Sequence, residues 1–185
     1  MGGIDADVRP IFGESEMILY HGSTVEVKNP LIVASDVGRD FGAAFYTTDI
    51  KAQTERWAVR RAKFARKNRS TGANAIVSVY DFDENAARTS LRVQNFETAS
   101  MAWLDMMLQC RTHISYKHGY DIVSGKIADD SVGETVSYVV AGIMPKELAI
   151  EKLKFQQINN QIAFCTNASL ECLHFVSSYQ LEVNA

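Results

Sequence analysis

The chain has 185 residues, a hydrophobic content of 46% and a net charge of −3, which fits one domain with a sizeable core. No apolar run approaches the roughly 18 residues of a membrane span, so the sequence predicts no part in a membrane. The three cysteines show no metal-binding or redox spacing, which predicts a reduced protein of the cytoplasm, its own cell's or a target cell's.

The N-terminal residues are polar and mixed, and they lack the apolar core of a signal peptide. We therefore predict a flexible arm over residues 1–16 and a single domain over residues 17–185.

Short apolar runs rich in strand-forming residues predict seven β-strands. They cover 17–20, 44–47, 75–82, 91–96, 120–123, 158–165 and 175–183. Apolar periodicity predicts helices over 49–67, 98–110 and 131–142, one starting at Pro145, and a short one over 167–173. Residues 36–42 and 124–130 are predicted loops. Strands and helices alternate without a regular βαβ repeat, so the predicted fold class is α+β.

The helix predicted over 49–67 has the clearest pattern. Thr48 or Asp49 is its expected cap. One stripe and a second row beside it are expected to face the core. The stripe contains Ile50, Thr54, Trp57, Arg61 and Phe64, and the row beside it Ala58, Ala62 and Ala65.

Charge is concentrated on this same helix. Residues 51–69 contain eight basic side chains and one acid, Glu55, which makes the segment +7 and the remainder −10. This asymmetry indicates either a solvated helix face or a nearby anion, such as a nucleotide phosphate, RNA or an acidic partner.

Several common site patterns are absent from the sequence. It contains no Gly-x-Gly-x-x-Gly fingerprint, no complete phosphate loop and no nucleophile elbow. The four histidines, His21, His113, His118 and His174, lack zinc spacing, so we predict no metal. Asp40-Phe41-Gly42 matches a kinase triplet, but no other kinase motif accompanies it.

Two neighbouring stretches carry the strongest functional signal. The first strand ends in Tyr20-His21-Gly22-Ser23, and the second is entered through Gly42 and contains Tyr46. Trp57 follows Tyr46 by eleven residues, and Thr54 lies three before Trp57. In this order the motifs resemble the NAD-binding core of ADP-ribosyltransferases, in the His-Tyr-Glu branch of diphtheria toxin and the poly(ADP-ribose) polymerases.

The chain is also similar to a bacterial family of unknown function grouped with these transferases. The similarity rests on three further patterns and extends over roughly residues 17–180. The patterns lie at 120–123 (YDIV), 127–130 (IADD) and 160–164 (NQIAF).

The resemblance implies two small sheets packed crosswise, with flanking helices and NAD bound between the sheets as a substrate. Tyr46 and Trp57 would sandwich the cationic nicotinamide ring. The Gly22 backbone would bind its carboxamide. Ser23 and Thr54 would add hydroxyl contacts, and His21 would bond a ribose hydroxyl.

One position departs from the resembling branch. Those transferases have Glu on a late strand, where this chain has Gln161. The expected catalytic set is therefore His21, Tyr46 and Gln161, with a neutral third member. Asp129 and Asp130 would either receive the acceptor at the cleft mouth or cap the following helix.

The resemblance predicts an NAD-dependent ADP-ribosyltransferase, in the role of a bacterial toxin or effector. Its partners would be NAD, a protein or nucleic-acid acceptor, and an antitoxin or inhibitor protein. A binding module for NAD or ADP-ribose without catalysis is the alternative that Gln161 favours. An RNA 2′-phosphotransferase would explain the basic helix, but that family has His where this chain has Tyr46.

Overall fold

A computed structural model describes residues 16–33, 38–68, 72–128, 130–154 and 158–183. Within these ranges the chain forms seven strands. They are β1 (Glu16–Ser23), β2 (Phe45–Thr47), β3 (Ala75–Asp83), β4 (Val93–Phe96), β5 (Ile122–Ala128), β6 (Ile158–Phe164) and β7 (Leu173–Leu181).

Six helices accompany the strands in the described ranges. They are α1 (Lys51–Lys67), α2 (Glu84–Ser90), α3 (Met101–Thr112), α4 (Asp130–Val140), α5 (Lys146–Lys154) and α6 (Asn167–Leu170). The predicted α+β class is confirmed.

The strands form two sheets. The first is antiparallel, in the order β1-β3-β7, and the second has the order β2-β6-β5-β4, in which only β4 and β5 run parallel. Tyr20 and Thr48 join the sheets through an isolated antiparallel bridge. Two backbone hydrogen bonds of 2.8 and 3.0 Å close that bridge.

Three apolar clusters place these elements in layers. Leu19 and Tyr80 of the first sheet pack with Phe45 and Phe164 of the second, so one cluster is shared by both sheets. The other face of the second sheet packs against α3, α4 and α5 around Trp103. The other face of the first sheet packs against the alanines of α1. Strand β3 contributes Tyr80 to the shared cluster and Val77 to the cluster with α1, because side chains alternate between the two faces along a strand.

Two predicted strands have markedly different bounds in the structure, and one helix was not predicted. Strand β1 begins at Glu16 and continues through Ser23, so His21 and Gly22 lie inside the strand. Strand β5 covers most of the loop predicted over 124–130, because Gly125 is buried between neighbouring strands and contacts the aromatic core. Helix α2 was not predicted; Asp83 caps it by accepting from the Ala86 N–H at 2.8 Å.

The start and the buried face of α1 also differ from the prediction. Its N-cap is Ile50, and the Thr48 hydroxyl accepts from the Ile50 N–H at 3.1 Å. The buried residues of α1 are Thr54, Ala58 and Ala62, whereas Trp57 is 48% and Phe64 64% exposed. Small side chains face the first sheet because the helix packs closely against it.

Among the described residues, none of the helices combines the length and apolar character needed to cross a membrane.

Candidate functional site

The candidate site lies where β1 and β2 separate. Tyr20 and Thr48 exchange both backbone hydrogen bonds, so the next such pair in an antiparallel ladder would be Gly22 and Tyr46. The ladder does not continue. Instead, the His21 side chain bonds the Tyr46 carbonyl at 2.7 Å. We call this point the seam, defined by Tyr20, His21, Gly22, Tyr46 and Thr48.

The seam leaves backbone groups of Gly22 without a ladder partner. Backbone groups alternate in direction along an antiparallel strand, so the N–H and C=O of Gly22 point the same way as those of Tyr20, away from β3. No backbone–backbone bond between described residues uses them on that side. The seam therefore presents one donor and one acceptor a few ångströms apart.

The contacts of His21 fix which ring nitrogen carries a proton. A carbonyl only accepts, so His21 Nδ1 carries the proton that bonds Tyr46. The ring stacks on Phe45 with centroids 4.4 Å apart. Burial lowers the pKa of His21, the Tyr46 hydrogen bond opposes this, and the charges of Arg61 and Arg39 lower it further. The neutral ring leaves Nε2 as an acceptor.

Gly22 is required by the approach of α1. A Cβ at this position would lie 2.7 Å from the Thr54 carbonyl oxygen and 3.1 Å from the Ala58 nitrogen. Gly22 and Thr54, two of the predicted nicotinamide-binding residues, are therefore in direct contact. Glycine was expected here to admit a ligand, whereas on this side it admits the helix α1.

Tyr46 has a fixed ring. Its hydroxyl donates to the Gly42 carbonyl at 2.7 Å and accepts from the Phe41 N–H at 3.1 Å. Burial raises the pKa of Tyr46 well above its usual range, so the hydroxyl is not an acid or base near neutral pH. The ring packs with the Trp103 cluster, and the Arg39 guanidinium lies 5.8 Å from its centroid. These contacts hold the ring in place, with the Arg39 cation over it.

Phe45 and Tyr46 are neighbours in β2, so their side chains point to opposite faces of the strand. The His21 ring lies on the Phe45 side, and the Tyr46 ring lies on the other side. His21 stacks on Phe45, whose neighbours belong to the cluster shared by the two sheets. His21 therefore reaches the Tyr46 backbone rather than its ring. The sequence placed these residues together correctly but did not distinguish their faces.

The loop before β2 is fixed to α3, a feature that the sequence analysis missed. A Cβ at Gly38 would lie 2.2 Å from the Arg111 carbonyl oxygen, so only glycine fits. Arg111 Nε donates to Asp40 at 2.6 Å. Phe41 is fully buried, and Gly42 has a φ of +78°, which favours glycine. The triplet Asp40-Phe41-Gly42 thus holds the Tyr46 hydroxyl in place. In the sequence, Gly38 and Gly42 were the residues that indicated a constrained loop.

Two predicted site residues have buried polar atoms without a partner. Thr54 is 3% exposed, and neither its hydroxyl oxygen nor the Oε1 of Gln161 has a hydrogen-bond partner among the described residues. An orphaned buried polar atom costs on the order of 1–3 kcal/mol and is rare in native proteins. Thr54 and Gln161 thus each keep one buried polar atom that no described residue satisfies.

Gln161 lies on β6 opposite Gly125 of β5. Since β2 pairs Thr47 with Ile162, extending that register sets Gln161 beside Thr48 of the seam. Directly opposed residues share a face, so Gln161 lies on the face of Ala163 and Tyr46. The buried indole nitrogen of Trp103, also without a partner among described residues, lies 3.4 Å from a Cβ built at Gly125.

The remaining predicted residues are not drawn into the seam. The Ser23 hydroxyl accepts from the Val25 N–H at 3.3 Å, so it closes a turn. Trp57 has Arg60 over its ring at 6.0 Å, and its stacking on nicotinamide stays a prediction. Asp129 and the side chain of Asp130 lie outside the described residues.

The described residues contain no group of three or more His, Cys, Asp or Glu side chains that could hold a metal ion.

The fold and seam thus define an α+β protein of two joined sheets with a candidate binding site at their junction. A family model described as "Protein of unknown function (DUF3990)" matches residues 17–175, and the chain belongs to this family. Searches of curated proteins and of solved structures returned no match.

Proposed function

We propose that the protein is an NAD-dependent ADP-ribosyltransferase whose nicotinamide site is the seam. The observation that carries this proposal is the unpaired N–H and C=O of Gly22 beside the orphaned hydroxyl of Thr54. A primary carboxamide has one acceptor oxygen and an NH₂ donor. Nicotinamide therefore complements the Gly22 backbone and leaves a contact for Thr54.

Tyr46 would stack on the nicotinamide ring. Its hydroxyl is anchored at both the donor and the acceptor side, so little conformational freedom is lost on binding. The bound ring is cationic, and an aromatic face attracts a cation. His21 Nε2 would accept a hydrogen bond from a ribose hydroxyl, because Nδ1 already donates to the Tyr46 carbonyl.

In the proposed reaction the bond between the ribose carbon and the nicotinamide nitrogen breaks. Its electron pair leaves with nicotinamide, which becomes neutral, and an oxocarbenium-like ribose remains. A nucleophile of the acceptor attacks that carbon and loses its proton to solvent or a base. Positioning and electrostatics would supply most of the catalysis.

Gln161 would accept a hydrogen bond from a ribose hydroxyl through its Oε1, which has no partner among the described residues. An amide lacks the charge of the Glu in the resembling transferases. At about 5 Å and an effective dielectric of about 20, one charge contributes roughly 3 kcal/mol, or about a hundredfold in rate. We expect slow NAD cleavage. The neutral Gln161 also favours the second candidate, a module that binds NAD or ADP-ribose without cleaving it.

Nicotinamide release and calorimetric NAD binding, measured on wild-type, Gln161→Glu and Gln161→Ala proteins, test the proposal. We expect Gln161→Glu to accelerate release by on the order of tenfold to a hundredfold, and Gln161→Ala to weaken binding. Mildly alkaline buffer keeps the half-buried carboxylate ionised, because burial raises a carboxyl pKa. Gln180→Glu, on an exposed position of β7, is the matched control.

The results separate the two candidates. Binding without release in wild-type and Gln161→Glu proteins would support the binding module. No calorimetric binding of NAD, NADP or ADP-ribose at millimolar concentration would exclude both.

A further inference from the structure

The exposed side of α1 carries a surface that the seam does not use. We call it the basic–aromatic face and define it by Arg56, Trp57, Arg61, Lys63, Phe64 and Lys67. All six are exposed, and none belongs to the buried side made by Thr54, Ala58 and Ala62. We propose that this face binds single-stranded nucleic acid.

The charge of the face selects a polyanion. The segment 51–69 carries +7 on a chain whose net charge is −3. Among the described residues, Lys51 lies 4.0 Å from Glu55, whereas Arg66 donates to the backbone oxygens of Ala73 and Val183 and so keeps its charge. A basic row along one helix is the electrostatic footprint of phosphate binding.

The aromatic side chains point to unpaired bases. Trp57, Arg61 and Phe64 follow the i, i+4, i+7 spacing that aligns side chains along a helix, and the two rings are separated by about 10 Å of helix rise. Their rings are 48% and 64% exposed, and Arg60 already lies over Trp57. Bases of a duplex are stacked on each other, so only a single strand can place bases on these rings.

Two other occupants fit less well. An amphipathic helix on a membrane inserts its apolar face, but α1 packs its small apolar side chains against the first sheet. An acidic protein would satisfy the cations, but Lys, Asp and Glu are depleted at the core of a protein interface, and here lysines and two rings share one face. A single strand of nucleic acid would use both the cations, through its phosphates, and the rings, through its bases.

The face adjoins the seam. Thr54 and Ala58 contact Gly22, and the next exposed turns of the same helix carry Trp57 and Arg61. Arg61 is near enough to His21 to act on its charge. The bound strand would then be positioned as the acceptor of ADP-ribose. This last step, and no other in this proposal, rests on the proposed transferase activity.

Fluorescence anisotropy with a labelled RNA of about 12 nucleotides, and a DNA of the same sequence, tests the proposal without NAD. Raising salt from about 50 to 200 mM should weaken binding about 20-fold if three phosphates are contacted. Trp57→Ala should weaken it by on the order of tenfold, and Trp57→Phe should retain most of it. Because Trp103 is 1% exposed, quenching of tryptophan emission would report on Trp57.

Matched variants separate this face from general charge. Lys63→Gln with Lys67→Gln removes two charges from it, whereas Lys117→Gln with Lys152→Gln removes two exposed charges elsewhere. Only the first pair should weaken binding and flatten the salt dependence. Ile143→Ala, at an exposed apolar residue, controls for Trp57→Ala, and circular dichroism verifies folding of each variant.

Equal effects of the two lysine pairs would overturn the proposal. So would binding that Trp57→Ala leaves unchanged, or polyglutamate or anionic vesicles binding as tightly as RNA. Because NAD is absent throughout, failure here leaves the transferase proposal standing, and failure of NAD binding leaves this one standing.

Discussion

Gly22 is enclosed on one side by α1 and faces the seam with its backbone. The helix backbone at Thr54 and Ala58 leaves no room for a methyl group. The same residue therefore fixes the distance between α1 and β1 and keeps its own N–H and C=O at the ligand edge. One position links packing to the candidate binding site.

Gly22→Ala should lower the free energy of unfolding by about 1–3 kcal/mol, because the new methyl group overpacks against helix backbone. Urea denaturation measures it. Gly133→Ala in α4 is the matched control: the nearest atom to its new Cβ would be an Arg111 guanidinium nitrogen at 3.9 Å. That change should stabilise by about 0.5–1 kcal/mol. Equal stability of Gly22→Ala and wild type would contradict the close packing.

At the scale of elements, an ion pair holds the starts of the parallel strands β4 and β5 together. Asp121 precedes β5 and accepts from the backbone N–H of Arg92 at 2.9 Å and from its Nε at 3.0 Å. The Asp121 carboxylate is largely buried, whereas the Arg92 side chain is 67% exposed. The hydrogen bonds from Arg92 lower the pKa of Asp121 to about 2.

Asp121→Asn should cost about 1–2 kcal/mol at neutral pH, a value limited by solvent screening of the exposed Arg92. A carboxyl with a depressed pKa stabilises the fold above its ordinary value of 3.8 and loses that contribution as pH falls through about 2. The wild-type advantage should therefore disappear between pH 4 and 2 in denaturation series. Asp105→Asn, in an exposed pair with Lys146, should change stability by under about 1 kcal/mol.

At the scale of the whole molecule, the isolated bridge Tyr20–Thr48 joins the two sheets. A ligand in the seam would contact Gly22 of the first sheet and Tyr46 of the second. Such a ligand binds only the assembled fold, so it should stabilise the whole domain.

NAD at about a hundred times its dissociation constant should stabilise the fold by about 2.7 kcal/mol, which raises Tm by about 5–10 °C for a domain of this size. Scanning calorimetry measures the shift. His21→Ala should reduce this shift, since the variant loses both the seam hydrogen bond and the proposed acceptor for a ribose hydroxyl. A shift of the same size in His21→Ala would place NAD elsewhere on the protein.

Element types were well determined by local pattern, and buried faces were not. Alternating apolar residues located β3 and β7, and periodicity located α1 and α3. The prediction that the aromatic stripe of α1 is buried was wrong. The helix approaches β1 so closely at Gly22 that alanines fit between them, whereas Trp57 and Phe64 do not. Residues 124–128 have turn-like composition but form a central strand, since tertiary packing overrides local propensity.

The amino-acid sequence by itself determined the α+β class and most elements, because these follow from local periodicity. The association of His21, Gly22 and Tyr46 was implied by the family resemblance of the motifs that contain them. Only the tertiary structure decided that β1 and β2 part at Gly22, that Asp40 and Arg111 fix the loop before Tyr46, and that Thr54 and Gln161 have orphaned polar atoms. Those features depend on contacts between residues far apart in the chain, which no local pattern encodes.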